Sequence, residues 1–291
     1  MKETTIDQTL VLCDLDSLLL DAAGNLPQLQ RDVLQLFASR GGRLTVFSQR
    51  SPRAVRSLLG GVRLSAPALV CGGTLAYNFS EGSGTALCSF EGMEESVLKI
   101  LPSLSGVGIA LQTVLGDNGH LYSKMTQEMV EEMRRLACRA DVLTPNLTEA
   151  FALLDRPYKT DCTTEELKDL IAELSEMGPD TVIITGVPVP GQSGLTSVIA
   201  RSKSDLRTWK VTCPYLPAHY PGTGDSFTSV ITGSLLQGDS LPIALDRAAQ
   251  FILQGIRSTF GYRMDNRDGI LLERVLPNLN TPIQSATYEL V

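Results

Sequence analysis

Four consecutive residues late in the 291-residue chain, Gly222-Thr223-Gly224-Asp225, have the types and spacing for anion chemistry. A glycine-rich turn that opens a helix points several backbone N–H groups one way, and the helix dipole adds partial positive charge there. Such a turn suits the charge that develops on a phosphoryl group in transfer. Asp225, at the helix start, is placed to accept a proton from a hydroxyl held against that group. The tetrapeptide also reads as a plain helix start, with glycine for a tight turn and aspartate as cap. A second stretch, LVLCDLDSLLLD at 10–21, ends an apolar run on Asp14 and repeats the acid at Asp16. It too has the look of phosphate chemistry, but of a different kind.

The elements that must position these residues alternate between strand and helix. Residues 9–14 form an apolar run that reads as a buried strand, and 26–42 carry helical spacing closed by Gly41 and Gly42. Residues 43–48 are a second strand. A helix follows with Ser51 as N-cap and Pro52 at its first position, then a third strand at 67–73. This βαβαβ order predicts a parallel sheet with right-handed crossovers. Residues 74–90 read as a hairpin, 93–104 as a helix and 106–123 as strand and loop. An amphipathic helix capped by Thr126 leads to a strand at 140–146, helices over 147–154 and 163–178, and a strand at 180–186. An antiparallel pair at 194–200 and 208–216 precedes two final helices, over 222–238 and 240–259.

Composition narrows the classes. The chain is 43% hydrophobic and 20% charged, with a net charge of -7 and no basic stripe, which excludes a nucleic-acid partner. No apolar run reaches membrane-span length, and the first residues are polar, so a cytoplasmic protein is expected. The expected partner is a small-molecule substrate, with a homodimer as the oligomer considered. His120 and His219 are the only histidines, which rules out a histidine-rich metal site. The cysteines Cys13, Cys71, Cys88, Cys138, Cys162 and Cys213 are scattered and read as buried, reduced thiols.

The stretch PAHYPGTGDSFTSVITGSLLQGDSLPIALDRAAQFI at 217–252 closely resembles the signature of the pyridoxal kinase group of the ribokinase superfamily. GDNGHLY at 116–122, ADVLTPNLTEA at 140–150 and TVIITGVP at 181–188 resemble that group's other motifs, in the same order, so the resemblance spans roughly residues 114–275. It implies that Asp225 is the catalytic base and that Gly222, Thr223 and Gly224 form the anion hole. It implies that Asn146 and Glu149 organise Mg²⁺ and the ATP phosphates, largely through water, with Glu149 the metal residue. Thr185 and Gly186 would lie along the nucleotide phosphates, and Asp117 near the γ-phosphate and metal. Read as residues alone, Asn146 is also a turn residue after Pro145, and Glu149 a first-turn acid on a helix. One departure stands out: Gln112 occupies the place where the group carries an aspartate.

DLDSLLLD resembles the first motif of the haloacid dehalogenase-like hydrolases of the Cof type, over roughly residues 9–110. That resemblance implies Asp14 as a nucleophile attacking phosphorus, Asp16 as acid/base and Ser48 as a phosphate ligand. Ser17-Leu18 replaces the usual Gly-Thr, and the later lysine and paired acids that hold Mg²⁺ are not found after residue 110. Both families use a three-layer α/β/α sandwich about a mostly parallel sheet. The expectation is therefore a hydrolase-like half over 1–112 joined to a kinase-like half over 113–291, completing one continuous sheet with the strand at 107–112 as the seam. Three functions remain open: an ATP- and Mg²⁺-dependent kinase acting on a B6 vitamer or similar hydroxymethyl compound, a phosphatase using Asp14, and an inactive nucleotide-binding protein.

Overall fold

The apolar runs become strands and the helically spaced runs become helices, but in two sheets rather than one. The computed structural model describes residues 10–21, 23–72, 75–86, 108–123, 125–262, 269–280 and 287–291. The chain divides into two compact units, Lys2–Ile109 and Ala110–Val291.

In the first unit, β1 (Leu10–Asp14), β2 (Arg43–Phe47) and β3 (Ala68–Val70) pair in parallel, and β4 (Leu75–Asn78) and β5 (Ser83–Ala86) add antiparallel in the order β1-β2-β3-β4-β5. The crossovers are α1 (Gln28–Ser39) and α2 (Pro52–Leu59). Ser51 caps α2 by accepting from the Ala54 N–H, with Pro52 just inside, as its sequence predicts. Leu34, Leu44, Val46, Val55 and Leu59 form the core of this unit. The run at 10–14, expected to be buried, lies at the sheet edge, so Leu12 is exposed. The helix expected at 93–104 lies outside the described residues, as does Cys88.

In the second unit, β6 (Ala110–Leu111), β9 (Val142–Leu143) and β10 (Thr181–Pro188) are parallel neighbours. Beyond β10 come β11 (Leu195–Ser202), β12 (Thr208–Pro214) and β13 (Tyr288–Leu290), each antiparallel to the last, in the order β13-β12-β11-β10-β9-β6. A separate hairpin joins β7 (Gly116–Asp117) to β8 (His120–Leu121). The helices are α3 (Gln127–Ala137), α4 (Leu147–Leu153), α5 (Thr164–Glu176), α6 (Thr223–Leu236), α7 (Leu241–Thr259) and the short α8 (Leu272–Val275). Strand residues alternate between faces. Ile183, Ala200 and Val211 pack with Phe227 and Ile231 of α6 and Ala244, Leu245 and Ala248 of α7. Val182 and Ile184 point to the opposite face of β10, against which α5 also packs with Leu167, Leu170 and Ile171 buried. The unit is thus the expected α/β architecture of helix, sheet and helix layers.

The two sheets correct the expectation of a continuous one: among the described residues, β6 ends the second sheet and pairs only with β9. Two thiols also differ from expectation. Cys71 and Cys138 are exposed, because Cys71 sits in a left-handed turn (φ 55) after β3 and Cys138 at the end of α3.

Candidate active site

Three parallel strands of the second unit end side by side, and the predicted kinase residues follow directly. Gln112 continues β6. Thr144, Pro145 and Asn146 continue β9, and Asn146 bridges in parallel to Thr185 of β10. The Thr185 N–H donates to the Pro145 carbonyl at 2.9 Å. A bulge between Ile184 and Val187 leaves Gly186 exposed in the left-handed region (φ 65), with open space where a side chain would be. In α/β sheets this carboxyl edge is where ligands bind.

Asn146 and Glu149 are locked together. Asn146 Oδ1 accepts from the Glu149 N–H at 2.9 Å, and Glu149 Oε2 accepts from the Asn146 N–H at 2.8 Å, a capping box that opens α4. Glu149 also accepts from the Thr113 hydroxyl at 2.7 Å and the Leu115 N–H at 3.0 Å. The carboxylate is 3% exposed. Burial pushes its pKa above the usual carboxylate range, against the hydrogen bonds from Asn146, Leu115, Thr113 and Gly116 that favour the charged form. The oxygens of Glu149, the residue expected to organise the metal, accept from these protein donors. Glu149 ties the 113–116 loop to the start of α4.

That loop leads into the β7–β8 hairpin, whose Asn118-Gly119 turn has both φ values positive (51 and 80). The hairpin is held to α4 by Asn146 Nδ2 donating to the Gly116 carbonyl at 2.8 Å and by the Gly119 N–H donating to Thr148 Oγ1 at 2.9 Å. Asp117, half-buried on this hairpin, accepts from the N–H and the side-chain amide of Asn118 and lies 3.7 Å from His219 Nδ1. His219 precedes the glycine-rich turn by a few residues, so Asp117 and that turn share one neighbourhood.

The turn itself settles which residue caps α6. Gly222, in the left-handed conformation (φ 80), is the N-cap, with no side-chain hydrogen bond, and Asp225 stands at the third helical position, exposed. The aspartate is therefore not the N-cap that its sequence also allowed. Gly222, having no side chain, supplies no cap of its own to the opening N–H groups of α6, the backbone groups an anion site uses. The helix start is fixed from behind: Thr228 Oγ1 donates to the Gly224 carbonyl at 3.1 Å and lies 2.7 Å from Thr144 Oγ1 at the end of β9. Gln112 completes the set, because a side chain at Gly224 would run into its amide. The Gln112 Oε1 atom is buried, with no hydrogen-bond partner among the described residues. Thr113, Thr144 and Thr228 were not singled out from sequence. Their signal was modest: threonines at strand ends, and one a helical turn beyond Gly224.

The residues fit the nucleotide's phosphates better than a caged metal. The backbone amides that open α6 and the open space at Gly186 have the chemistry that phosphate oxygens need. No cluster of three acids, histidines or cysteines able to hold a metal occurs among the described residues. A Mg²⁺ ion here would be carried by phosphates and water near Asp117, as suits a cation that keeps its hydration shell.

In the first unit, Asp14, Asp16 and Ser48 do come together. Asp14 Oδ1 accepts from the Asp16 N–H at 2.9 Å. Asp16 accepts from the Ser48 hydroxyl at 2.7 Å, the Gln49 N–H at 2.8 Å and Arg50 Nε at 2.6 Å. Burial raises the Asp16 pKa, but the hydrogen bonds from Ser48, Arg50 and Gln49 and the Arg50 charge outweigh it and hold the carboxyl below its ordinary value. An acid/base group needs the opposite tuning, toward neutrality. Ser48, expected to hold phosphate, is fully buried and directs its hydroxyl to Asp16 instead.

Comparison with known proteins covers both units. A family model described as phosphomethylpyrimidine kinase matches residues 114–268, and one described as haloacid dehalogenase-like hydrolase matches residues 11–185, further than the resemblance ending near 110. A pyridoxal kinase of Arabidopsis thaliana is 26% identical over 59% of this chain and 55% of its own. A hydroxymethylpyrimidine/phosphomethylpyrimidine kinase of Bacillus subtilis is 28% identical over 48% of this chain and 50% of its own. The chain thus spans about half the length of the curated relatives it matches. A candidate phosphomethylpyrimidine kinase of Bacteroides thetaiotaomicron, crystallised with pyridoxal, is 47% identical, with a TM-score of 0.65 over 86% of this chain and 97% of that one. The chain belongs to two families at once, the phosphomethylpyrimidine kinases through residues 114–268 and the haloacid dehalogenase-like hydrolases through residues 11–185.

Proposed function

We propose that the second unit is an ATP-dependent kinase site of the pyridoxal kinase type, which phosphorylates the hydroxymethyl group of a B6 vitamer or a related heterocycle. The observation that carries this reading is the Gly222–Gly224 turn with glycine as the helix N-cap and Asp225 exposed at the third helical position, in the same unit as the Asn146–Thr185 strand ends. The relatives named above act on pyridoxal or hydroxymethylpyrimidine by their descriptions, which supports the substrate class.

ATP supplies the phosphoryl group. The α6 N–H groups at Thr223 and Gly224 face the charge that spreads over its oxygens during transfer. Asp225 takes the proton from the acceptor hydroxyl as the new O–P bond forms and the bond to the ADP oxygen breaks. Gly186 and Thr185 leave room along the phosphates, and Asn146 holds the β7–β8 hairpin that presents Asp117. Glu149 acts by positioning this frame.

The hydrolase reading rests on Asp14 alone, because Asp16 and Ser48 are spent on each other and on Arg50. The test for the kinase reading is nucleotide binding. Mg-ATP at one hundred times its Kd should stabilise the protein by about 2.7 kcal/mol, visible as a thermal shift. Gly224→Val should abolish the shift while the fold survives, since the atoms nearest to its Cβ belong to the end of the Gln112 side chain. No shift at millimolar nucleotide contradicts the reading.

A further inference from the structure

Gln112 stands beside the glycine-rich turn. Its amide lies against Gly224, on the turn just proposed to hold the transferred phosphoryl group. Its Oε1 is buried from water and has no donor within reach among the described residues. A buried acceptor left unpaired costs about 1–3 kcal/mol, so such an atom calls for a partner. The surrounding turn is rich in N–H donors, which pair with phosphate oxygens. Phosphate oxygens cannot in turn satisfy a carbonyl oxygen, which needs a donor hydrogen. Asp225 claims the one proton of the attacked hydroxyl. A second donor on the same acceptor molecule, close to the attacked group, is a partner whose chemistry suits Gln112.

We propose that Gln112 is a specificity-determining residue that accepts a hydrogen bond from a hydroxyl or amino group neighbouring the phosphorylated hydroxymethyl. This rests on the kinase reading and narrows its substrates to acceptors with two adjacent donor-bearing groups on a ring. The aspartate that the pyridoxal kinase group carries at this place is charged, whereas the neutral amide accepts a hydrogen bond without adding charge beside the anion turn.

The test compares pyridoxine with its deoxy analogue, in which the neighbouring hydroxymethyl is a methyl group. Steady-state phosphorylation gives kcat/KM, and calorimetric titration beside a non-hydrolysable ATP analogue gives affinity. Wild type should favour pyridoxine by about tenfold in both, the worth of one well-made hydrogen bond. Gln112→Met, similar in length and without the acceptor, should lose that preference, its kcat/KM and affinity for the two acceptors becoming equal within about twofold. Gln112→Leu is a second apolar version should Met pack poorly, and Gln112→Glu, which keeps an acceptor, should retain the preference but weaken nucleotide binding. Equal use of the two acceptors by wild type, or a preference surviving in Gln112→Met, overturns the inference alone. Failure of wild type to bind or phosphorylate either acceptor overturns the kinase reading and this inference with it.

Discussion

Asp225→Asn lowers turnover by about two to four orders of magnitude, the range for loss of a general base. ATP affinity should change little, because in the proposed mechanism the carboxylate serves the acceptor hydroxyl rather than the nucleotide. The folded state loses only a few tenths of a kcal/mol to about 1 kcal/mol. Asp225 stands at the third position of α6 with Gly222 as the N-cap, so Asn removes a favourable charge near the helix dipole but keeps the side chain's size and leaves the N-cap residue unchanged. Steady-state kinetics beside a denaturant melt separates the two effects. Activity within tenfold of wild type would mean that the proton goes elsewhere.

The second large effect is on stability. Glu149→Ala removes the acceptor for the Thr113 hydroxyl and the Leu115 N–H, both buried, and for the part-buried Asn146 N–H. Each donor left without a partner costs on the order of 1–3 kcal/mol. Part is recovered because burying the carboxylate is itself unfavourable, as its raised pKa records. The expected net loss is about 3 kcal/mol in the second unit, read from chemical denaturation. Mg-ATP binding weakens too, because the 113–116 loop and the hairpin carrying Asp117 lose their tether. A variant within about 0.5 kcal/mol of wild type would show that the capping box and its tertiary donors are dispensable.

The legibility of this site in the amino-acid order depended on range. The Gly222 turn was readable because only glycine is at ease at a φ of 80 before a helix. Ser51 and Thr126 were readable as caps because capping acts over three residues, to Ala54 and Met129. The spacing Asn146-x-x-Glu149 carried the capping-box signal, yet Glu149 was expected at the metal. Nothing local announces that Thr113 and Leu115 fold back onto it from more than thirty residues away. The Gln112–Gly224 contact is longer in range still. Gln112 was noticed as a departure, but its contact was not.

The expectation of one sheet failed for a related reason. Alternating strands and helices say that a parallel sheet forms, not which strand lies at its edge. Strands β1 and β6 have ordinary apolar composition, and both lie at edges. The acids at Asp14 and Asp16 were visible, whereas the engagement of Asp16 by Arg50 and Ser48 required β1 and β2 to be set in register, Asp14 against Phe47.

The most direct test of the kinase site is to follow labelled γ-phosphate from ATP, with Mg²⁺, into pyridoxal, pyridoxine and hydroxymethylpyrimidine, while assaying hydrolysis of a generic phosphomonoester in parallel. The account predicts label in at least one hydroxymethyl acceptor, its loss in Asp225→Asn, and phosphomonoester hydrolysis near background. Robust Mg²⁺-dependent hydrolysis abolished by Asp14→Asn, with no label in any acceptor, would contradict it.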